Sequence, residues 1–175
     1  DLGSHLIDQA LVLFGKPMAV FADIKAQRID SKVDDYFHIH LYYPHFTAIL
    51  KAGVFVKEPG PRYILHGNKG SFIKKGIDPQ EELLRKGFMP VGEHWGREYP
   101  ENHGLLNISD NGIETRETVD TEAGNYAAFY ENVRDVLTGD AEQAVKPEEA
   151  RTVIRVIELA FESEKIKSII PFTER

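Results

Sequence analysis

Residues 35–56 read DYFHIHLYYPHFTAILKAGVFV, and their alternation decides the fold class. Phe37, Ile39 and Leu41 fall on one side of an extended chain, and Tyr36, His38, His40 and Tyr42 fall on the other. The period of two is that of a strand, whose successive side chains point to opposite faces. Pro44-His45 makes a turn, and residues 47–56 read as a further strand. Strands joined by so short a turn pair antiparallel. Just upstream, residues 19–27 alternate again, with Val20, Ala22, Ile24 and Ala26 opposed to Asp23, Lys25 and Gln27, the pattern of a half-buried strand.

Working outward, Pro59-Gly60-Pro61 breaks the chain, and residues 62–66 and 71–74 read as strands around the turn Gly67-Asn-Lys-Gly70. Residues 79–85 form a short helix with acids first and a base last, and 89–103 read as an excursion loop. Residues 105–109 and 113–119 flank Asp110-Asn111-Gly112, a strong hairpin signal. Three longer helices frame these strands. Residues 1–14 place Leu6, Ile7, Ala10, Leu11 and Phe14 on one face, then stop at Gly15 and Pro17. Residues 125–138 carry Phe129, Val133, Val136 and Leu137 and end at Gly139. Residues 147–164 open with Pro147, Glu148 and Glu149, which suit a helix N-terminus, and have Lys165 at the far end. The core stripe expected on that helix is Ala150, Val153, Ile154, Ile157, Ala160 and Phe161. A last strand is expected within 167–171. The expectation is one α+β domain over 1–175: an open, largely antiparallel sheet with helices packed on one face.

Composition narrows the function classes. The 175 residues are 42% hydrophobic and 28% charged, an ordinary globular balance. A net charge of −7 argues against a nucleic-acid partner, which needs a basic patch. No apolar run approaches the ~20 residues of a membrane helix. The absence of cysteine excludes thiolate catalysis, disulfides and Cys-ligated metal, and a reducing cytoplasm fits it. No glycine-rich phosphate loop occurs: Gly67-x-x-Gly70 follows a strand but leads into another strand, so it reads as a turn. The chain therefore carries no nucleotide-binding device of its own.

The stretch that carries chemistry is Asp1-Leu-Gly-Ser-His5-Leu-Ile-Asp8. At ~100° per residue, Asp1, His5 and Asp8 share a stripe roughly opposite the apolar face. An Asp four residues before a His can fix its tautomer and raise its basicity, leaving the other ring nitrogen for a substrate hydroxyl. The plain alternative is a solvated helix face with an incidental i,i+4 pair.

Asp1-x-Gly3-x-His5-x-x-Asp8 heading a helix that ends in Gly15-x-Pro17 resembles the opening of the C-terminal domain in the glucose–fructose oxidoreductase / inositol dehydrogenase / MocA family. Residues 66–74 (HGNKGSFIK) followed by Gly76-Ile-Asp78-Pro-Gln80-Glu81 resemble a mid-domain signature of one branch, and the end, from Tyr126 through Pro147-Glu-Glu-Ala to Ile157-Glu-x-Ala160, resembles the closing helix pair. The branch most similar is the NADP-linked scyllo-inositol dehydrogenase type. The resemblance implies a dihydrodipicolinate-reductase-like C-terminal domain whose partner, an N-terminal Rossmann domain holding NAD or NADP and a catalytic Lys, is absent from this chain. It implies His5 as acid/base at a sugar or polyol hydroxyl, Asp1 orienting it or binding substrate, and Asp8 touching a substrate hydroxyl.

A chain starting at Asp1 without Met, already in a helix, reads as a fragment, and the fragment alone is expected to be inactive. Lys74, Asp78 and Gln80 follow a strand in a polar loop and read either as pocket lining or as turn and capping residues; Lys74 is the candidate for substrate contact. Trp95 reads as an anchor of its loop. His38-x-His40 with His45 nearby invites a metal, but no acid completes a site, so no metal is expected. The better reading is a Tyr- and His-rich sheet face that packs on a second copy, as the family resemblance also implies. The rival to the enzyme reading is a non-catalytic sheet domain for oligomerisation or ligand binding.

Overall fold

A computed structural model describes residues 2–174. Its elements are α1 (Leu2–Phe14), β1 (Ala19–Lys25), β2 (Tyr36–Tyr42), β3 (Thr47–Gly53), β4 (Tyr63–Gly67), β5 (Gly70–Lys74), α2 (Gln80–Arg85), β6 (Gly104–Asp110), β7 (Ile113–Val119), α3 (Ala127–Thr138), α4 (Pro147–Ile166) and β8 (Ile170–Pro171), with one 3-10 turn at Pro100–Asn102. The class is α+β with open antiparallel sheets, as the alternation requires. The strands divide between two four-stranded sheets, ordered β3-β2-β1-β8 and β4-β5-β6-β7. They belong to two compact units, residues 1–57 with 144–175 and residues 58–143.

In the first unit, β2 pairs antiparallel with both β1 and β3, placing Ile39 between Ala22 and Leu50, and Leu41 between Val20 and Ala48. These side chains share one face, and α1 and α4 cover it. Ile7 and Ala10 from α1 and Val153, Val156, Leu159 and Ala160 from α4 complete the core. The stripe expected on α4 is turned: Val153 and Ala160 are buried, but Ala150, Ile154 and Phe161 are exposed, while polar Arg155 and Ser163 are buried. The reason lies at the strand edge. The two-residue β8 pairs only with Ala19 and Val20, so the N–H groups of Ala22 and Ile24 find no strand partner there. They donate instead to Ser163 Oγ at 3.0 Å and Glu164 Oε2 at 3.0 Å. Ser163 in turn donates to the Ser168 carbonyl at 2.7 Å. Arg155 Nε donates to the Thr173 carbonyl at 2.9 Å, which holds the C-terminal tail on the helix. Backbone donors must be satisfied somewhere, and α4 turns a polar row inward to do it.

The second unit is a meander, β4 to β7 in chain order, interrupted between β5 and β6 by the excursion that holds α2. No hydrophobic residue of this unit is fully buried among those described. Polar contacts stitch it instead. Gln80 is wholly buried, and its Oε1 accepts from Trp95 Nε1 and from the Tyr126 amide, each at 3.0 Å. Gly124 makes this possible: a Cβ there would lie 2.4 Å from Gln80 Nε2 and 2.7 Å from Asp78 Oδ2. Gly104 lies under the Phe72 ring just as closely, with a Cβ position 2.2 Å from Phe72 Cε2. From the N-cap Tyr126 along α3, Tyr126, Phe129, Tyr130, Val133 and Leu137 fall within one ~100° stripe, and all five are exposed.

Candidate active site

The candidate acid/base stands on α1, in the first unit. Ile7 and Ala10 bury the opposite side of this helix, so the three- and four-residue spacing turns His5 and Asp8 outward. Both are exposed. Val12 continues their stripe and is 77% exposed, an apolar side chain beside two polar ones on the same surface. Asp1, the expected partner of His5, lies outside the described residues. An imidazole and a carboxylate on the accessible side of a helix can take up and return a proton and accept hydrogen bonds from hydroxyls.

Lys74 closes β5 in the second unit. Its ammonium pairs with Glu98 and also donates to the Asn102 carbonyl at 2.9 Å. The two side chains are 13% and 3% exposed, so this is a sheltered pair that fastens the excursion to the sheet. Removing either partner would strand the other charge away from water. Asp78 Oδ1 accepts from the Gln80 amide at 2.9 Å, a turn-stabilising role. Trp95 is an anchor through its bond to Gln80. The hub role of Gln80 was not legible, because a lone Gln at the head of an acidic helix carries no burial signal. Nor was Glu98, one more acid in a charged loop.

A shallow cleft of about 140 Å³ lies in the first unit against α4 and the C-terminal tail, with Arg151, Ile154, Arg155 and Phe172 in its lining. Neither His5 nor Asp8 lines it, and Arg155 is already paired with Glu158 and the Thr173 carbonyl. Among the described residues no three His, Asp or Glu side chains converge as metal ligands do. No described helix is long and apolar enough to cross a membrane.

Among the described residues, the glycine pair with a loop-like spacing closes a hairpin. Gly67 and Gly70 lie opposite each other there, and a Cβ on Gly70 would lie 2.2 Å from the Asn107 carbonyl oxygen, so the glycine answers to the approach of β6.

The chain is similar to the C-terminal part of known oxidoreductases. The family model for the oxidoreductase family C-terminal alpha/beta domain matches residues 1–172. The scyllo-inositol 2-dehydrogenase (NADP(+)) IolW of Bacillus subtilis is 44% identical over 97% of this chain and 48% of its own length. The uncharacterized oxidoreductase YdgJ of Escherichia coli is 39% identical over 97% of this chain and 49% of its own length. The solved structure of the yvaA protein of Bacillus subtilis superposes with a TM-score of 0.95 at 43% identity, over 99% of this chain and 50% of that one. An oxidoreductase from Bacillus cereus gives 0.88 at 34% identity, covering 99% of this chain and 51% of its own. The chain spans about half the length of the relatives it matches.

Proposed function

Because the chain belongs to the Gfo/Idh/MocA oxidoreductase family, as its C-terminal alpha/beta domain, we propose that it is the substrate-side half of an NAD(P)-dependent dehydrogenase acting on a secondary hydroxyl of a cyclic polyol or sugar. The observation that carries this reading is the 44% identity over 97% of the chain to a protein named as a scyllo-inositol dehydrogenase using NADP(+). The accessible His5 and Asp8 on α1 support it. In this reading the cofactor is held by the remaining half of the relatives' length, which this chain does not span. A nicotinamide there supplies the hydride chemistry, and this chain supplies proton handling and substrate contacts.

In this reading His5 takes the hydroxyl proton during oxidation and returns it during reduction. Asp1 holds the ring in the right tautomer, and Asp8 accepts a hydrogen bond from a neighbouring hydroxyl. Lys74 would contact substrate only by leaving Glu98. The two units, over residues 1–175, act together as one substrate and oligomerisation domain, and the outer face of the β3-β2-β1-β8 sheet joins two copies.

The test is a steady-state assay of the full-length parent, with NAD and NADP against inositols and simple sugars. Turnover of one polyol is expected, and His5→Ala should lower kcat by ~10²–10⁴-fold, the usual worth of a positioned acid/base. Undiminished turnover in the variant would move the proton role off His5. No turnover with any substrate would favour a sheet domain that only binds or oligomerises.

A further inference from the structure

In the β3-β2-β1-β8 sheet, α1 and α4 both lie on the face that carries Val20, Ala22, Ile39 and Leu41. The opposite face is organised in rows across β1, β2 and β3. One row is Phe21, His40, Ile49, and the next is Asp23, His38, Lys51. The two imidazoles are neighbours, with ring centroids 5.1 Å apart. Phe21 stands edge-on to His40 at 5.9 Å, and Tyr42 stacks beside it at 6.3 Å. Ile49 is 54% exposed at the end of its row. Aromatic and aliphatic side chains flanked by a few charges make the composition of a subunit contact rather than of a solvated face.

The rows determine how such a face could meet a second copy of itself. A two-fold axis lying along β2 keeps each row in place and exchanges β1 with β3. Asp23 then meets Lys51 of the copy, and Phe21 meets Ile49. A two-fold axis across the strands would instead set Asp23 against Phe21 and Lys51 against Ile49, charged side chains against apolar ones. Charge complementarity therefore selects the axis along β2, which also brings His38 onto His38 and His40 onto His40.

We propose that this face joins two copies about an axis along β2, and that protonation of His38 and His40 separates them. The proposal rests on the self-association read above and adds its geometry and its control. Neutral imidazoles can be stacked and buried at such a contact; charged ones place like charges opposite each other and lose their water. Within one chain the direction is already set: burial first, then His40 and Lys51, hold the His38 imidazole below its usual range, against the pull of Asp23. The other groups facing it are Lys25, bound to Asp23 and over the Tyr36 ring, the phenols of Tyr36 and Tyr42, and Glu164 at the β1 edge. The hydrogen bond to Asp23 holds the Lys25 ammonium above its usual range, and the Lys167 hydrogen bond holds the Glu164 carboxyl below its own, so both keep their charge in mild acid, where an imidazole gains one.

The experiment is sedimentation velocity of the chain over a concentration series at about pH 8 and about pH 5.5, with circular dichroism to verify folding at both. The dimer should be at least about tenfold weaker at the lower pH. The neutral pair His38→Gln with His40→Phe should remove that dependence. Lys51→Glu should weaken the dimer at the higher pH, and adding Asp23→Lys should restore it. A chain monomeric at both pH values overturns the self-association reading and the switch together. A dimer equally tight at both leaves that reading standing and overturns the switch. So does a neutral variant that still dissociates. Lys51→Glu without effect overturns the axis.

Discussion

Asp35 shows how one carboxylate can hold a connection in place. It accepts from the Gln27 amide at 2.5 Å, from the Arg28 amide at 3.2 Å and from Arg28 Nε at 2.8 Å, closing the loop between β1 and β2. The Gln27 amide first, and then Arg28, hold its carboxyl below the usual Asp range. A lowered folded value stabilises the fold above the unfolded pKa, and that contribution is lost as pH falls through the folded one. Asp35→Asn should therefore lower the urea midpoint at neutral pH, and the gap to wild type should close in strong acid. A gap that is constant with pH would mean the carboxylate's charge is not what matters. Nothing in the sequence marks Asp35 over the adjacent Asp34. Its role depends on where Gln27 and Arg28 come to lie once β1 and β2 pair, which is a tertiary fact. His5 is the opposite case: its spacing from Ile7 and Ala10 was enough to turn it outward.

At the scale of elements, α4 is the instructive one. Its position and length were legible from Pro147, the two glutamates after it and the apolar repeat, and so was its burial against the sheet. Which side it buries was only half legible. Hydrophobic periodicity counts apolar side chains, but α4 also serves the open edge of β1 with Ser163 and Glu164. A polar residue kept inside to satisfy a backbone donor is invisible to that count. Ser163 is fully buried and Ala22 is fully buried beside it. Ser163→Ala should leave the Ala22 N–H without an acceptor and cost about 1–3 kcal/mol, measured by denaturant unfolding. Hydrogen exchange should localise the loss to β1. An unchanged midpoint would mean that another group replaces the hydroxyl. The strand ends were legible to within three residues, because alternation and turn signals are local, and the first and third strands stop two and three residues before the alternation does. Their division into two sheets was not, because nothing in the period of a strand names its neighbour.

At the scale of the molecule, the two units are built on different physics. The first has a conventional apolar core under α1 and α4, whereas the second relies on Gln80, on the Lys74–Glu98 pair and on side chains held over Gly104 and Gly124. The apolar stripe of α3 belongs to the second unit, and Leu137 at its end contributes little to folding, since it is 82% exposed. Leu137→Glu should leave the melting temperature of the chain within the error of the measurement while reducing the fluorescence of a dye that reports exposed apolar surface. A clear drop in melting temperature would show that Leu137 packs inside the fold after all. The stripe also has a practical consequence for anyone handling the protein. Salts excluded from protein surfaces strengthen the drive to hide apolar area, so the ammonium sulfate concentration at which this chain leaves solution should be low for so acidic a protein, and a single added carboxylate on α3 should raise it.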